Sequence, residues 1–184
     1  MIELITGCMY SGKTERFIER VHELKGEGKH ILQFKPVQDD RYDKNDIVSH
    51  DGRRIKGLAV DGPDELMEIV EGEEPDCVAI DEVQFFGWDF VRVVETLANQ
   101  GVHVLLAGLD QDFTGRSFGI MPDLMAQSDV MIKLNATCAR CGDPASKSQR
   151  LVYGRPAAIY DPIVIVKEGV TYEPRCRKHH ELVS

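Results

Sequence analysis

No apolar stretch in this sequence approaches the ~20 residues that a membrane-spanning helix requires, so no contact with a bilayer is expected. Basic charge is scarce too: 22 Lys and Arg stand against 31 Asp and Glu, for a net charge of −9. The shortage is uneven, with −12 over residues 1–134 and +3 over residues 135–184. An acidic body repels a nucleic-acid backbone, and no basic stripe with interleaved aromatics offsets this, so no nucleic-acid partner is expected. Cysteine is sparse and odd in number: Cys8, Cys77, Cys138, Cys141 and Cys176. That count excludes a framework built on disulfides. Internal repeats and low-complexity tracts are also missing. A length of 184 residues suits one core domain with a small appendage. A functional motif starting at residue 7 leaves little room for a leader peptide before it, and a cytoplasmic protein is expected.

What is present begins with Gly7-Cys8-Met9-Tyr10-Ser11-Gly12-Lys13-Thr14, which fits G-x-x-x-x-G-K-[ST]. A short apolar run precedes it and a helical pattern follows it, as this phosphate cradle requires. Gly7 and Gly12 allow backbone conformations and close approaches that a Cβ would hinder. The loop N–H groups and the start of the following helix then face an anion. Lys13 is suited to the β- and γ-phosphates of ATP, and the Thr14 hydroxyl to Mg²⁺.

Apolar runs alternate with helical patterns along the chain. The expected strands are Glu3–Thr6, His30–Lys35, Cys77–Asp81, Val102–Leu109 and Val130–Leu134. The expected helices are Lys13–Glu27, Pro63–Glu71, Trp88–Gln100 and Phe118–Gln127, with Gly28 and Gly101 as stop signals after two of them. The runs around Val78 and Leu105 suit central parallel strands covered on both faces. The alternation predicts an α/β layer fold. Val37 to Arg54 is polar and aperiodic and reads as a surface loop. Near residue 135 the pattern changes, which divides the chain into residues 1–134, a nucleotide-binding α/β domain, and residues 135–184. A β-rich segment is expected over Ala157 to Val166.

Cys77 to Glu82 is an apolar strand ending in two carboxylates. In a phosphate-loop protein this is where a Mg²⁺-associated aspartate belongs, here Asp81. Glu82 lies one residue further, at the carboxyl end of the strand, placed to take a proton from an attacking hydroxyl. An exposed turn would be the reading if the cradle were missing. Phe85 and Phe86 could wall an apolar pocket or simply join the core. Further on, Cys138-x-x-Cys141 and Cys176-x-x-His179 supply three thiolates and an imidazole, a complete tetrahedral set for structural Zn²⁺. His180 is an alternative fourth ligand, but the spacing favours His179. The 34 residues between Cys141 and Cys176 make a loop pinned at both ends, a candidate substrate cover in which Tyr160 or Tyr172 could meet a ligand.

These residues resemble the zinc-containing, cellular-type (type II) thymidine kinase family over nearly the whole chain. The resemblance is carried by GCMYSGKT, DDRY at 39–42, SHD at 49–51 and IDEVQFF at 80–86. It continues through LDQDFTGRSFG at 109–119, KLNATCARCG at 133–142 and TYEPRCRKHH at 171–180. It implies a P-loop (RecA-like), mainly parallel sheet flanked by helices, with a small C-terminal zinc-binding lasso domain. It implies transfer of the ATP γ-phosphate to the 5′-hydroxyl of thymidine, with Glu82 as general base. Asp81, Glu82, Val83 and Gln84 match the second nucleotide segment. Met9, Phe86 and Phe113 match thymine-pocket positions, Arg41 a position near the phosphates, and Tyr172 a tyrosine on the nucleoside. Ile163, Val164, Ile165, Val166 and Lys167 match the stretch whose backbone reads the thymine edge. The resemblance further implies a homotetramer inhibited by thymidine triphosphate. Two other functions compete: an ATPase whose zinc ribbon contacts nucleic acid, and a nucleotide-binding regulator without turnover. The acidic body opposes the first, and an intact cradle with a candidate base opposes the second.

Overall fold

The first strand is buried along its whole length, and its side chains alternate between two helical layers. The computed structural model describes residues 1–37, 46–48, 52–164 and 168–184. In chain order these form β1 (Ile2–Gly7), α1 (Lys13–Gly26), β2 (Ile31–Pro36), β3 (Asp46–Val48), β4 (Arg54–Lys56) and β5 (Leu58–Val60). Next come α2 (Pro63–Glu73), β6 (Cys77–Ile80), α3 (Asp89–Asn99), β7 (His103–Leu109), α4 (Met121–Gln127) and β8 (Val130–Leu134). The remaining strands are β9 (Ala136–Thr137), β10 (Pro144–Ala145), β11 (Lys147–Val152), β12 (Arg155–Pro156) and β13 (Val170–Arg175).

Six strands form one parallel sheet in the order β5-β2-β6-β7-β1-β8. Leu4, Phe34, Val78, Ile80 and Leu106 face one side, where α2, α3 and α4 bring Leu66, Phe90, Val94 and Leu124. Ile5, Ala79, Leu105 and Ala107 face the other, where α1 brings Phe17, Ile18, Val21 and Leu24. The i, i+1, i+4, i+7 spacing of those four residues makes one apolar stripe. Burying each of the larger side chains contributes roughly 1.5–3 kcal/mol before entropy is counted. Pro63 opens α2 at a position where its missing N–H costs nothing. Among the described residues, no helix is long and apolar enough to cross a membrane.

Three expectations are corrected. Asp46–Val48, inside the segment expected to be a loop, pairs as an antiparallel strand with Arg54–Lys56, which starts at that segment's last residue, and Ile47 and Ile55 are buried in one apolar cluster with Phe17, Ile18 and Val21 of α1. One isoleucine per three-residue strand is too little to show periodicity. The fourth helix begins at Met121 rather than Phe118, because the Phe118 N–H donates to the Asp110 carbonyl and holds a loop there. The described part of the expected β-rich segment Ala157 to Val166 holds only a single bridge, between Ala158 and Val183. The strands lie on either side of it, as β12-β11-β13.

Glu3 is the polar exception within β1. It is buried, accepts from Arg20 Nε at 3.0 and 3.1 Å, and lies 3.2 Å from His103 Nε2. Burial alone would raise its pKa, but the His103 and Arg20 hydrogen bonds outweigh that and hold it below the usual carboxylate range. A depressed folded pKa contributes stability that is present above the unfolded value and is lost as pH falls through the folded one. Glu3→Gln should therefore cost about 1–3 kcal/mol near neutral pH. The gap from wild type should narrow as pH drops below about 4, as read from urea unfolding midpoints across pH.

Candidate functional site

The cradle is shaped by a steric limit at its first residue. Gly7 ends β1 with φ 149°, and a Cβ there would lie 2.3 Å from the Leu134 carbonyl oxygen and 2.9 Å from Ser11 Oγ. The loop then turns through Tyr10 (φ 63°) and Gly12 (φ 83°), which is the N-cap of α1. Left-handed turns of this kind form amide concavities that bind anions. Lys13 is buried, and its Nζ donates to the Cys8 carbonyl at 3.0 Å, which keeps the ammonium inside the loop. Ser11 Oγ is buried and has no hydrogen-bond partner among the described residues, a group that a bound nucleotide can satisfy. Two contacts tie the loop to the C-terminal region. Cys8 Sγ donates to the Ala145 carbonyl at 3.3 Å, and the Met9 N–H donates to Ser148 Oγ at 3.0 Å. Burial pushes the Cys8 thiol up.

Glu82 meets this loop from the neighbouring part of the sheet. A cavity of about 30 Å³ is lined by Met9, Tyr10, Gly12, Lys13, Thr14 and Glu82, among others. Past Ile80 the chain turns through Asp81, which is buried and whose Oδ1 accepts the Glu82 N–H at 2.8 Å. Glu82 adopts φ 56°, a left-handed conformation uncommon for a side-chain-bearing residue. A short 3₁₀ turn, Val83–Phe85, follows. Gln84 is buried: its Oε1 accepts the Leu109 N–H at 3.0 Å and its Nε2 donates to Glu82 Oε2. The Leu109 N–H fixes which end of the amide is oxygen, so the nitrogen must face the carboxylate. Phe86 is buried and stacked on Phe90, with centroids 4.2 Å apart. Phe85 meets Phe118 edge-on. Across the end of β1, Lys133 Nζ lies 2.7 Å from Asp110 Oδ2. Because β7 and β8 flank β1, that ion pair spans the root of the loop.

The four expected zinc ligands converge. The ligand atoms of Cys138, Cys141, Cys176 and His179 all lie within 4.8 Å of one another. Cys141 Sγ and Cys176 Sγ are 3.8 Å apart, and His179 Nδ1 is 3.8 Å from Cys138 Sγ and 3.3 Å from Cys176 Sγ. Zn–S bonds of about 2.3 Å in a tetrahedron give edges of about 3.8 Å, so these residues fit Zn²⁺. His180 is elsewhere: its Nε2 lies 2.9 Å from the Phe113 carbonyl oxygen. That acceptor requires a proton on Nε2.

Of the expected nucleoside residues, Phe113 is buried and Tyr172 half-buried, whereas Ile163 and Val164 are exposed. Arg41, Ile165, Val166 and Lys167 lie outside the described residues, as do DDRY and SHD. Between Phe113 and Tyr172 sits Arg150, whose guanidinium carbon is 3.8 Å from the Phe113 ring centroid.

A family model for thymidine kinase matches residues 1–180. The chain belongs to the thymidine kinase family. Solved structures that resemble it in part have identities of 12% to 16%. One is a DNA replication initiation factor, at 16% identity and TM-score 0.41, covering 72% of this chain and 39% of that one. Another is AMPPCP-bound DnaA from Aquifex aeolicus, at 12% identity and TM-score 0.42, covering 72% and 40%. A third is domain III of the DnaA replication initiation protein from Thermotoga maritima, at 14% identity and TM-score 0.43, covering 73% and 55%. This thymidine kinase family member thus spans about two fifths of the first two and about half of the third. Its own parallel sheet, with the phosphate loop after β1, is the P-loop NTPase fold.

Sequence reasoning missed Ser148, Arg150 and the Asp110–Lys133 pair. Only the register of β11 with β13, which sets Arg150 opposite Tyr172, exposes the arginine. The metal cluster gives a direct test. Elemental analysis should find one zinc per chain, and Cys176→Ser should lose it. The thermal midpoint should then fall by roughly 10 °C in the metal-free form.

Proposed function

We propose that this chain transfers the γ-phosphate of ATP to the 5′-hydroxyl of thymidine, with deoxyuridine as a second acceptor, forming the monophosphate for DNA-precursor salvage. The observation that carries this reading is the shared cavity in which Glu82 faces Lys13 and Thr14. Phosphoryl transfer asks little covalent chemistry of a protein, so positioning and charge neutralisation dominate. Residues Gly7 to Thr14, with Asp81 to Gln84, bind the nucleotide, and Lys13 neutralises charge on the transferring group. Thr14 and Asp81 would hold Mg²⁺, which supplies further neutralisation when bound. Glu82 accepts the 5′-hydroxyl proton, with its carboxylate held in place by the Gln84 amide. Met9, Arg41, Phe86, Phe113, Tyr172 and Ile163 to Lys167 form the nucleoside side. In this reading residues 1–134 are the catalytic domain. Residues 135–184 are a zinc-stapled unit whose loop covers the substrate and excludes water. The same reading makes the protein a cytoplasmic homotetramer with thymidine triphosphate as feedback inhibitor.

The decisive assay sets ATP·Mg²⁺ against a panel of nucleosides. Phosphorylation of thymidine is expected; nucleic-acid-stimulated hydrolysis with no nucleoside product would instead favour the ATPase reading. Glu82→Gln should retain nucleotide binding while kcat falls by ~10²–10⁴-fold. Near-normal turnover in that variant would remove Glu82 from its role.

A further inference from the structure

Arg150 heads the fully buried side chains by volume, at 1% exposure. Among the described residues, no carboxylate forms a salt bridge with it. A buried cation without an anion is costly and persists only where other groups satisfy it. Here Nε donates to the Tyr172 hydroxyl oxygen at 2.8 Å, Nη1 donates to the Pro162 carbonyl, and Nη2 donates to the Ile163 carbonyl. The face of the guanidinium lies over Phe113 and, at 5.4 Å, near the Tyr172 ring, so cation–π attraction adds to the hydrogen bonds. Phe113 is itself tied through its carbonyl to His180, next to the zinc ligand His179. Four segments therefore meet at one planar fork: the loop after β7, strand β11, the chain at 162–163, and strand β13.

We propose that Arg150 is a positioning residue for nucleoside binding. It fixes the Phe113 ring, the Tyr172 hydroxyl and the Pro162–Ile163 backbone relative to one another, and so sets the shape of the base pocket. Because Tyr172 accepts from Nε, its own hydroxyl proton is directed away from Arg150 and is available to a ligand. A lysine keeps the charge but lacks the fork that reaches two carbonyls and a phenol together. The proposal rests on the reading in which Phe113, Ile163 and Tyr172 face the nucleoside.

The test uses the full, zinc-loaded chain with Arg150→Lys and Arg150→Met. In Arg150→Met the KM for thymidine should rise by ~10–100-fold, the loss expected for several charged hydrogen bonds. The KM for ATP should stay within about two-fold, with zinc still at one per chain. An unchanged thymidine KM overturns the proposal, and so does an ATP KM that rises in step. Should Arg150→Met fail to fold, hydrogen exchange of Arg150→Lys decides instead. Exchange over residues 158–164 should accelerate while phosphate-loop peptides keep their wild-type rate, and unchanged exchange at 158–164 overturns the proposal. Wild type is assayed alongside: its failure on every nucleoside would overturn the kinase reading, and the exchange experiment would still report whether Arg150 holds that segment.

Discussion

The close approach of the Leu134 carbonyl to Gly7 governs everything chemical in this protein. The space where a side chain would begin is already filled by backbone, at 2.3 Å. That contact exists because β1 is paired on both edges, with Gly7 opposite Leu109 on one side and Leu134 on the other. The chain must leave the sheet at that point, and the phosphate loop is the path it takes. The same pairing aligns the carboxyl ends of β6, β7, β1 and β8, so Glu82, Gln84, Asp110 and Lys133 come to the loop from three neighbouring strands or the turns after them. Open parallel sheets bind ligands at this edge for the same reason.

Beyond β8 the protein relies on different physics. The β12-β11-β13 sheet is too small to bury an apolar core, and its central strand carries buried Ser148, Gln149 and Arg150 rather than aliphatic residues. Order is supplied by directed interactions. The Cys138, Cys141, Cys176 and His179 cluster closes one end, Gln149 exchanges hydrogen bonds with the backbone of Glu181, and Arg150 joins three other segments. Such contacts have strict angular requirements, so they specify one arrangement where hydrophobic packing would allow several.

This division explains what was legible in the sequence. The five long strands and four helices of the first part were readable because burial imposes a period on apolar residues, and only their ends shifted. The phosphate loop and the zinc set were readable because their spacing is dictated by ligand geometry. Strand β11, Lys147-Ser148-Gln149-Arg150-Leu151-Val152, carries no such signature, since a buried strand satisfied by hydrogen bonds looks like a polar loop. The β3 and β4 pair was invisible because it buries one isoleucine per strand. The role of Gln84 could not be read either, because its effect on Glu82 depends on the distant N–H of Leu109.

The bond from the Met9 N–H to Ser148 Oγ has a consequence for how such a molecule can evolve or be re-engineered. One amide of the phosphate loop is satisfied by the C-terminal region, and the Cys8 thiol finds its acceptor there as well. A loop of this kind is usually regarded as self-contained, portable among proteins with any neighbour. Here its rim is shared property. The segment that carries the Cys138, Cys141, Cys176 and His179 cluster is therefore not an interchangeable module, and exchanging it for that of a relative would also disturb the phosphate loop bonded to it.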